Sequence, residues 1–146
     1  MKFTEEVITP ELLEEVNPLL EKHWEEIAFY KDIPLAPDYE QYLKSKMVKS
    51  YSVRDGDGKL VGYSVYVLKS HPHYKNSLWA VQDIIYIDPA RRGYGMFLIK
   101  WCDEQLKLLG VQVVSHHVKV SNDWSKALIR MGYDFQDKIL TKRLDK

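Results

Sequence analysis

The apolar residues of the first third of the chain recur with a helical period. Thr9, Pro10 and Glu11 supply an N-cap, a proline at the first helical position and an acidic first turn. Helical spacing continues to Ile27, which predicts a first helix. A second helix is predicted after Asp38, with one side formed by Tyr39, Tyr42, Leu43 and Met47.

The middle of the chain has the pattern of strands. Residues 51–54 and 60–67 are rich in strand formers and flank the turn sequence Asp-Gly-Asp-Gly, which predicts a hairpin. Residues 78–87 are almost continuously apolar and end at an Asp-Pro pair, so they are expected in the centre of the sheet. The polar stretch 70–77 between these strands is predicted to be a loop.

The last third predicts two more helices and two more strands. Apolar residues keep helical spacing from Tyr94 to Leu109, and Gly110 follows where a left-handed C-cap is favoured. Residues 111–120 then predict a strand, 122–131 a short helix and 139–144 a last strand. No repeat or linker interrupts this order, so residues 1–146 are expected to form a single domain.

Composition narrows the functional classes. A chain of 146 residues with 45% hydrophobic residues can bury a stable core without disulfide bonds or a structural metal. Its 21 basic and 21 acidic residues balance, which argues against a general affinity for nucleic acid or an anionic membrane. The only cysteine, Cys102, excludes an internal disulfide and suits a reducing compartment. With no basic leader and no apolar run of membrane-spanning length, a cytoplasmic protein is expected.

The segment from Asp83 to Phe97 carries the clearest chemical signal. It runs from a buried strand through a proline-ended loop, two arginines and two glycines into a helix. The first turn of a helix offers unpaired amides and a partial positive charge, and glycines let the backbone approach phosphate oxygens closely. The order therefore predicts a pyrophosphate site. A phosphate-binding α/β domain of another kind remains an alternative, although neither a P-loop nor a complete dinucleotide fingerprint is present.

This segment resembles motif A of the GNAT acetyltransferases, in which an apolar strand and a proline precede Arg/Gln-x-x-Gly-x-Gly/Ala at the start of a helix. Arg92 and Gly95 fit the pattern, whereas Phe97 stands where Gly or Ala is usual. The resemblance implies an α/β (α+β) fold with a mixed, mostly antiparallel central sheet flanked by helices, in the order β-α-α-β-β-β-α-β-α-β. Within the family, the chain is similar to short phage-encoded members, which would act in the host cytoplasm.

The resemblance also implies a cofactor and its contacts. Acetyl-CoA would be the co-substrate, and the acceptor would be a primary amine of a small molecule, peptide or protein. The backbone of Ile85, Tyr86 and Ile87 would pair with the pantetheine arm. The pyrophosphate would bind the amides of Arg92, Gly93, Tyr94, Gly95, Met96 and Phe97, and Asn122 would touch the cofactor. No metal is expected, and pairing of edge strands between two copies as a homodimer is left open.

Three side chains are candidates for proton transfer. Asp83 lies two residues before Ile85, so a regular strand would point both to one face, where the carboxylate could act as a base. The alternative is that Asp83 or Gln82 satisfies buried backbone groups. His116 and His117 are adjacent on a predicted strand and so face opposite ways, which leaves one of them free to point into the cleft.

Two positions besides Phe97 depart from the family pattern, and several residues are weaker candidates. The family's usual acid and base align with Leu128 and Val81, which cannot transfer protons, so a non-catalytic CoA-binding or partner-binding module is the alternative function. Acceptor recognition could use the first helix, at His23, Trp24, Glu25 and Glu26, or the predicted loop, at His71 and His73. Cys102 lies on the core side of its helix and is expected to pack.

Overall fold

A computed structural model describes all 146 residues and contains one five-stranded sheet. The strands lie in the order β1-β2-β3-β4-β5, which is also their order along the chain. Their bounds are β1 Lys2–Glu5, β2 Val48–Arg54, β3 Leu60–His71, β4 Tyr74–Ile87 and β5 Val111–Ser115. The first four strands pair antiparallel and β5 joins β4 in parallel. The predicted mixed, mostly antiparallel sheet is confirmed.

Four helices flank the sheet: α1 Pro10–Ile27, α2 Glu40–Lys44, α3 Gly95–Leu108 and α4 Ser125–Arg130. The predicted cap of α1 is present, because the Thr9 hydroxyl accepts a hydrogen bond from the Leu12 N–H at 3.2 Å. Helix α2 is shorter than predicted and ends before Met47, which precedes β2. None of these helices is both long enough and apolar enough to cross a bilayer.

Apolar side chains are buried on both faces of the sheet. Helix α3 covers one face with Leu98, Cys102 and Leu106, which are almost completely buried among residues of β2, β3 and β4. Burial raises the pKa of the Cys102 thiol well above its usual range, as expected for a packing residue. Helix α1 covers the other face with Leu12 and Leu19. The sheet is therefore held between two helices, and its central strands are accessible only at their ends and edges.

Strand β4 contains a β-bulge at Asp83. Val65 of β3 pairs with Ile84 and the next residue, Tyr66, pairs with Gln82, so Asp83 has no partner. The extra residue shifts the alternation of side chains. Ile85 packs into the core under α3, whereas the Asp83 carboxylate meets the Tyr42 hydroxyl on the α1 side. The expectation that Asp83 and Ile85 share a face is therefore wrong.

The loop predicted at residues 70–77 is instead a tight hairpin. Strand β3 continues to His71 and β4 begins at Tyr74, with Pro72 and His73 in the turn. The strands extend because cross-strand pairing outweighs the polar composition of the segment. His71 packs against Trp79 with the ring centroids 4.7 Å apart and the planes tilted by 43°, at the end of the sheet where the hairpin turns.

The last predicted strand, residues 139–144, does not form. Its apolar side chains are exposed, and the edge of β5 pairs with no strand after α4. The segment lies beside the loop that follows α1, where Arg143 binds Asp32 at 2.9 Å and Thr141 hydrogen-bonds Tyr30 at 2.6 Å. These polar contacts hold it in place of strand pairing, which an apolar pattern alone cannot foresee. Strand β5 also ends earlier than predicted, at Ser115 instead of Val120.

The close approach of β3 and β4 near the bulge can be tested at Gly62. A Cβ at this position would lie 2.9 Å from the carbonyl oxygen of Tyr86 and 2.9 Å from Cγ1 of Ile87. Gly62→Ala should lower the free energy of unfolding in urea by about 1–3 kcal/mol, because the strands would have to separate. The control is Gly56→Ala in the hairpin turn, where no atom lies within 4 Å and little change is expected. Equal stabilities of the two variants would contradict the tight pairing.

Candidate active site between strands β4 and β5

The site begins where β4 and β5 separate. Their pairing ends at Val81 and Ser115, and beyond this point the edge of β4 has no strand partner on that side. Gln82 fills the point of separation: its side chain is 5% exposed and its Oε1 accepts a hydrogen bond from the His117 N–H at 3.0 Å. Gln82, not Asp83, therefore satisfies the backbone here.

The separation opens a cleft of about 480 Å³. Strand β4 forms its floor with residues 82–87, α1 contributes one wall, and α3 with the preceding turn contributes another. The segment after β5 closes the remaining side. Polar and charged side chains around the cleft are His23, Glu26, Gln82, Asp83, Arg92, His117, Lys119 and Asn122.

At one end of the cleft, the floor leads into the first turn of α3. Asp88 caps a 3-10 turn at Pro89–Tyr94 by accepting a hydrogen bond from the Ala90 N–H at 3.0 Å. This turn delivers the chain to Gly95, the first residue of α3. No atom lies within 4 Å of where a Cβ on Gly95 would be, so the space over the helix N-terminus is open to the cleft. The geometry suits an anionic group bound by backbone amides.

Two side-chain donors converge beside this helix end. The guanidinium of Arg92 forms a salt bridge with Glu26 at the end of α1, and Nδ2 of Asn122 donates to Oε1 of the same carboxylate at 2.9 Å. One negatively charged group thus already lies between the two donors. The arrangement demonstrates that Arg92 and Asn122 can bind one anion together.

The predicted cofactor residues divide into two groups. Ile85, Tyr86, Ile87, Arg92, Gly95, Met96 and Asn122 all line the cleft. Gly93, Tyr94 and Phe97 do not, and the rings of Tyr94 and Phe97 point to solvent with exposed fractions of 43% and 61%. Phe97 follows Gly95 by two residues, which is slightly more than half a turn of helix. Its side chain therefore lies on the side of α3 away from the cleft and the core. It neither enters the core nor narrows the cleft.

The two adjacent histidines after β5 face opposite ways, as predicted. His117 is exposed and lines the cleft. His116 points away, with its Nε2 3.3 Å from the Tyr66 hydroxyl and its Nδ1 buried without a partner. Burial lowers the pKa of His116 to about 4. Of the two, only His117 can reach a molecule in the cleft.

Helix α1 contributes more to the cleft than the sequence indicates. His23 lies against the floor, with its ring stacked on Tyr86 at 4.9 Å and its Nδ1 3.1 Å from the Tyr63 hydroxyl. Burial lowers the pKa of His23 to about 4, so the ring is neutral at neutral pH. His23 and Glu26 share a face because they are three residues apart. Trp24 and Glu25 lie outside the cleft. The three-residue spacing is therefore the feature of the sequence that could have distinguished His23 and Glu26 from their two neighbours.

The end of the cleft opposite the helix terminus carries a carboxylate, and two tyrosines, Tyr39 and Tyr42, lie behind it in a small separate cavity beside α1. The exposed Asp83 accepts a hydrogen bond from the Tyr42 hydroxyl, and the ring of Tyr39 stacks on Tyr42 at 5.6 Å. Burial, followed by the hydrogen bond to Asp83, raises the pKa of Tyr42 well above its usual range. The hydroxyl therefore stays protonated. The sequence marked the two tyrosines only as the packing side of a helix.

The comparison with known proteins agrees with this architecture. Residues 10–133 match the model of the Acetyltransferase (GNAT) family, which spans most of the chain. The chain therefore belongs to the GNAT acetyltransferase family, whose members generally use acetyl-CoA as the acyl donor. Among curated proteins no sequence match was found.

Solved structures share the fold at low sequence identity. An aminoglycoside acetyltransferase from an uncultured soil metagenomic sample has a TM-score of 0.75 and 14% identity, over 98% of this chain and 95% of that one. The ribosomal-protein-alanine N-acetyltransferase of Brucella melitensis biovar Abortus has a TM-score of 0.70 and 16% identity, over 97% and 100%. A mutant of the BH1408 protein of Bacillus halodurans has a TM-score of 0.73 and 19% identity, over 99% and 100%.

The buried His116 should make stability depend on pH. The folded-state pKa of about 4 lies below the ordinary value of about 6.5, so the unfolded chain takes up the proton first as pH falls. Stability from this group is complete above about pH 6.5 and is lost as the pH falls toward 4. From about pH 7 to pH 5 this contribution should fall by about 2 kcal/mol, so the native protein should lose about 2 kcal/mol more stability than His116→Gln, which keeps the similar contribution of His23.

The measurement is urea unfolding of both proteins at the two pH values. Glutamine keeps a partner for the Tyr66 hydroxyl, so His116→Gln should fold. Identical pH dependence in the two proteins would show that His116 takes up a proton in the folded state as readily as in the unfolded chain.

Proposed function

We propose that this protein transfers the acetyl group of acetyl-CoA to a primary amine. The observation that carries the proposal is the continuous path in the cleft: the unpaired edge of β4 leads directly to the open N-terminus of α3 at Gly95. An extended, amide-containing molecule that ends in phosphates has matching chemistry along its whole length. Backbone groups of β4 would bind the extended part, and the amides of α3 would bind the phosphates.

The charges at the helix end support binding of a pyrophosphate. Arg92 and Asn122 add a cation and an amide donor to the helix amides, and Lys119 lines the same cleft. Glu26 occupies both donors, so phosphates would have to displace its carboxylate or bind the remaining hydrogen-bond capacity of Arg92. The end of α1 is therefore expected to respond when the cofactor binds.

The floor of the cleft supports acyl transfer. Acetyl-CoA would supply an acetyl thioester, whose carbonyl carbon the amine attacks while the bond to sulfur breaks and the thiol of CoA leaves. A backbone N–H on the unpaired edge of β4 near Ile85 or Tyr86 would stabilise the negative charge that develops on the carbonyl oxygen. The edge is rigid because β4 stays paired with β3 on its other side.

Among the titratable groups, we assign the proton of the attacking amine to His117. An imidazole exchanges protons near neutral pH, and His117 is exposed in the cleft at the point where β4 and β5 separate. His116 has no access to the cleft. His23 has access, but its lowered pKa of about 4 makes it a weak base at neutral pH. The hydrogen bond from the His117 N–H to Gln82 fixes the backbone from which this ring projects.

The acceptor would enter from the α1 and α2 side, because the cofactor would occupy the gap between β4 and β5. Two proteins of similar fold are named for amine acceptors, an aminoglycoside and the alanine of a ribosomal protein. They support an amine as the accepting group without indicating which amine this chain uses.

The cofactor site can be tested with the same substitution at two glycines. Gly95→Glu places a carboxylate in the open space over the α3 N-terminus and should abolish binding of acetyl-CoA in isothermal titration, because the charge repels the phosphates. The control, Gly56→Glu, makes the same change in the hairpin turn and should bind as the native protein does. Native protein that fails to bind acetyl-CoA, or Gly95→Glu protein that still binds it, would contradict the proposed site.

The proton acceptor can be tested at His117. His117→Gln should lower kcat for acetyl transfer by about a hundredfold and leave the affinity for acetyl-CoA unchanged, because only proton transfer is lost. Release of CoA thiol is measured with the fastest amine found in a screen. His73→Gln in the distant hairpin turn is the control. Unchanged kcat would exclude His117 as the base, and binding of acetyl-CoA without transfer to any amine would favour the non-catalytic alternative.

A further inference from the structure

The end of the cleft at Asp83 differs in charge from the end at α3. Strand β4 rises by about 13 Å from Asp83 to Ile87, so the Asp83 end and the α3 end of the cleft are well separated. At the α3 end the acidic side chain, Glu26, is neutralised by Arg92. At the other end Asp83 has a tyrosine hydroxyl as its hydrogen-bond partner and no cation. A negative charge is thus left uncompensated on the side where the acceptor would enter.

Two aromatic rings lie next to this end of the cleft but outside its lining, in a small cavity beside helix α1. Tyr39 and Tyr42 stack at 5.6 Å with an angle of 25° between their planes, and both lie on the α1 side with Asp83. Burial, and after it the charge of Asp83, raises the pKa of Tyr39. The carboxylate lines the cleft and is oriented by the Tyr42 hydroxyl, so it is suited to an ammonium group through a charge-assisted hydrogen bond.

The β-bulge explains why the carboxylate is available. In a regular strand, Asp83 would have a partner on β3 and a neighbour on its own face at Ile85. The bulge removes that pairing and turns the side chain toward Tyr42. Asp83 is held by one hydrogen bond at one oxygen, which leaves its other lone pairs able to accept from a cation.

We propose that Asp83, oriented by the Tyr42 hydroxyl, binds a second, non-reacting ammonium group, so that the preferred acceptor is a diamine or polyamine. The inference rests on the proposed acetyl transfer, since it assigns the other amine to the thioester. A carboxylate in contact with an ammonium favours its charged form, which cannot attack a carbonyl. The amine held by Asp83 is therefore not the amine that reacts. Asp83 is a specificity-determining residue, and the proton of the reacting amine goes to His117.

Binding can be measured without turnover. Straight-chain diamines, and the monoamine of matching length for each, are titrated into the native protein with and without saturating CoA. The best diamine should bind at least about tenfold more tightly than its monoamine, as one charge-assisted hydrogen bond allows. Asp83→Asn should reduce the diamine to the affinity of the monoamine. Asp57→Asn in the exposed hairpin turn removes the same charge far from the cleft and should preserve the preference.

Kinetics separate recognition from proton transfer. Asp83→Asn should raise KM for diamines about tenfold or more with little change in kcat, and should leave monoamines unaffected. A fall in kcat for monoamines and diamines alike would make Asp83 the base and overturn the proposal. Equal affinity for the two kinds of amine, or a preference that survives Asp83→Asn, would also overturn it.

The outcomes distinguish this inference from the function on which it rests. A protein that binds diamines through Asp83 but fails to bind acetyl-CoA would support the ammonium site and contradict the proposed acetyl transfer. A protein that acetylates monoamines and diamines equally well would support the proposed acetyl transfer and contradict the ammonium site.

Discussion

The cleft depends on one constraint, the end of pairing between β4 and β5 after Val81 and Ser115. Two parallel strands that stayed paired would leave no edge for a ligand. Here the strands separate, and Gln82 prevents the separation from leaving an unsatisfied amide by accepting from His117. On its other side, β4 remains paired with β3 before and after the bulge at Asp83, so the free edge does not fray. A polar side chain at one point thus keeps a sheet open without loosening it.

The bulge next to this point has a second effect. One extra residue at Asp83 moves the odd-numbered positions after it to the α3 face and the even-numbered ones to the α1 face. Ile85 and Ile87 can therefore pack under α3 while the Asp83 carboxylate, on the same strand, faces α2. Charge follows the same division. The α3 end of the cleft combines a helix terminus with Arg92, and the bulge end carries Asp83, so each end suits a ligand group of opposite sign.

The sequence predicted most of the elements but not the contacts between distant ones. Periodicity, the Thr9 cap and the glycine-containing turn before α3 are local signals, and they located α1, the β2–β3 hairpin and the start of α3 correctly. A bulge has no comparable signal, because Asp83 fits a regular strand as well as an irregular one. The share of α1 in the cleft could have been inferred from the spacing of His23 and Glu26, whereas their partners Tyr63 and Asn122 are set by tertiary packing. The prediction of a last strand was wrong because an apolar pattern does not reveal whether the segment can reach the edge of a sheet.

The burial of Cys102 has a consequence for chemical labelling. It is the only thiol of the chain, it is 0% exposed, and burial in the core under α3 keeps it in the unreactive protonated form. The folded protein therefore carries no background site for thiol-reactive dyes. A cysteine introduced at the solvent-facing Phe97 would be the single reactive position, two residues after Gly95 at the α3 end of the cleft, where a fluorophore would sense a ligand arriving at α3.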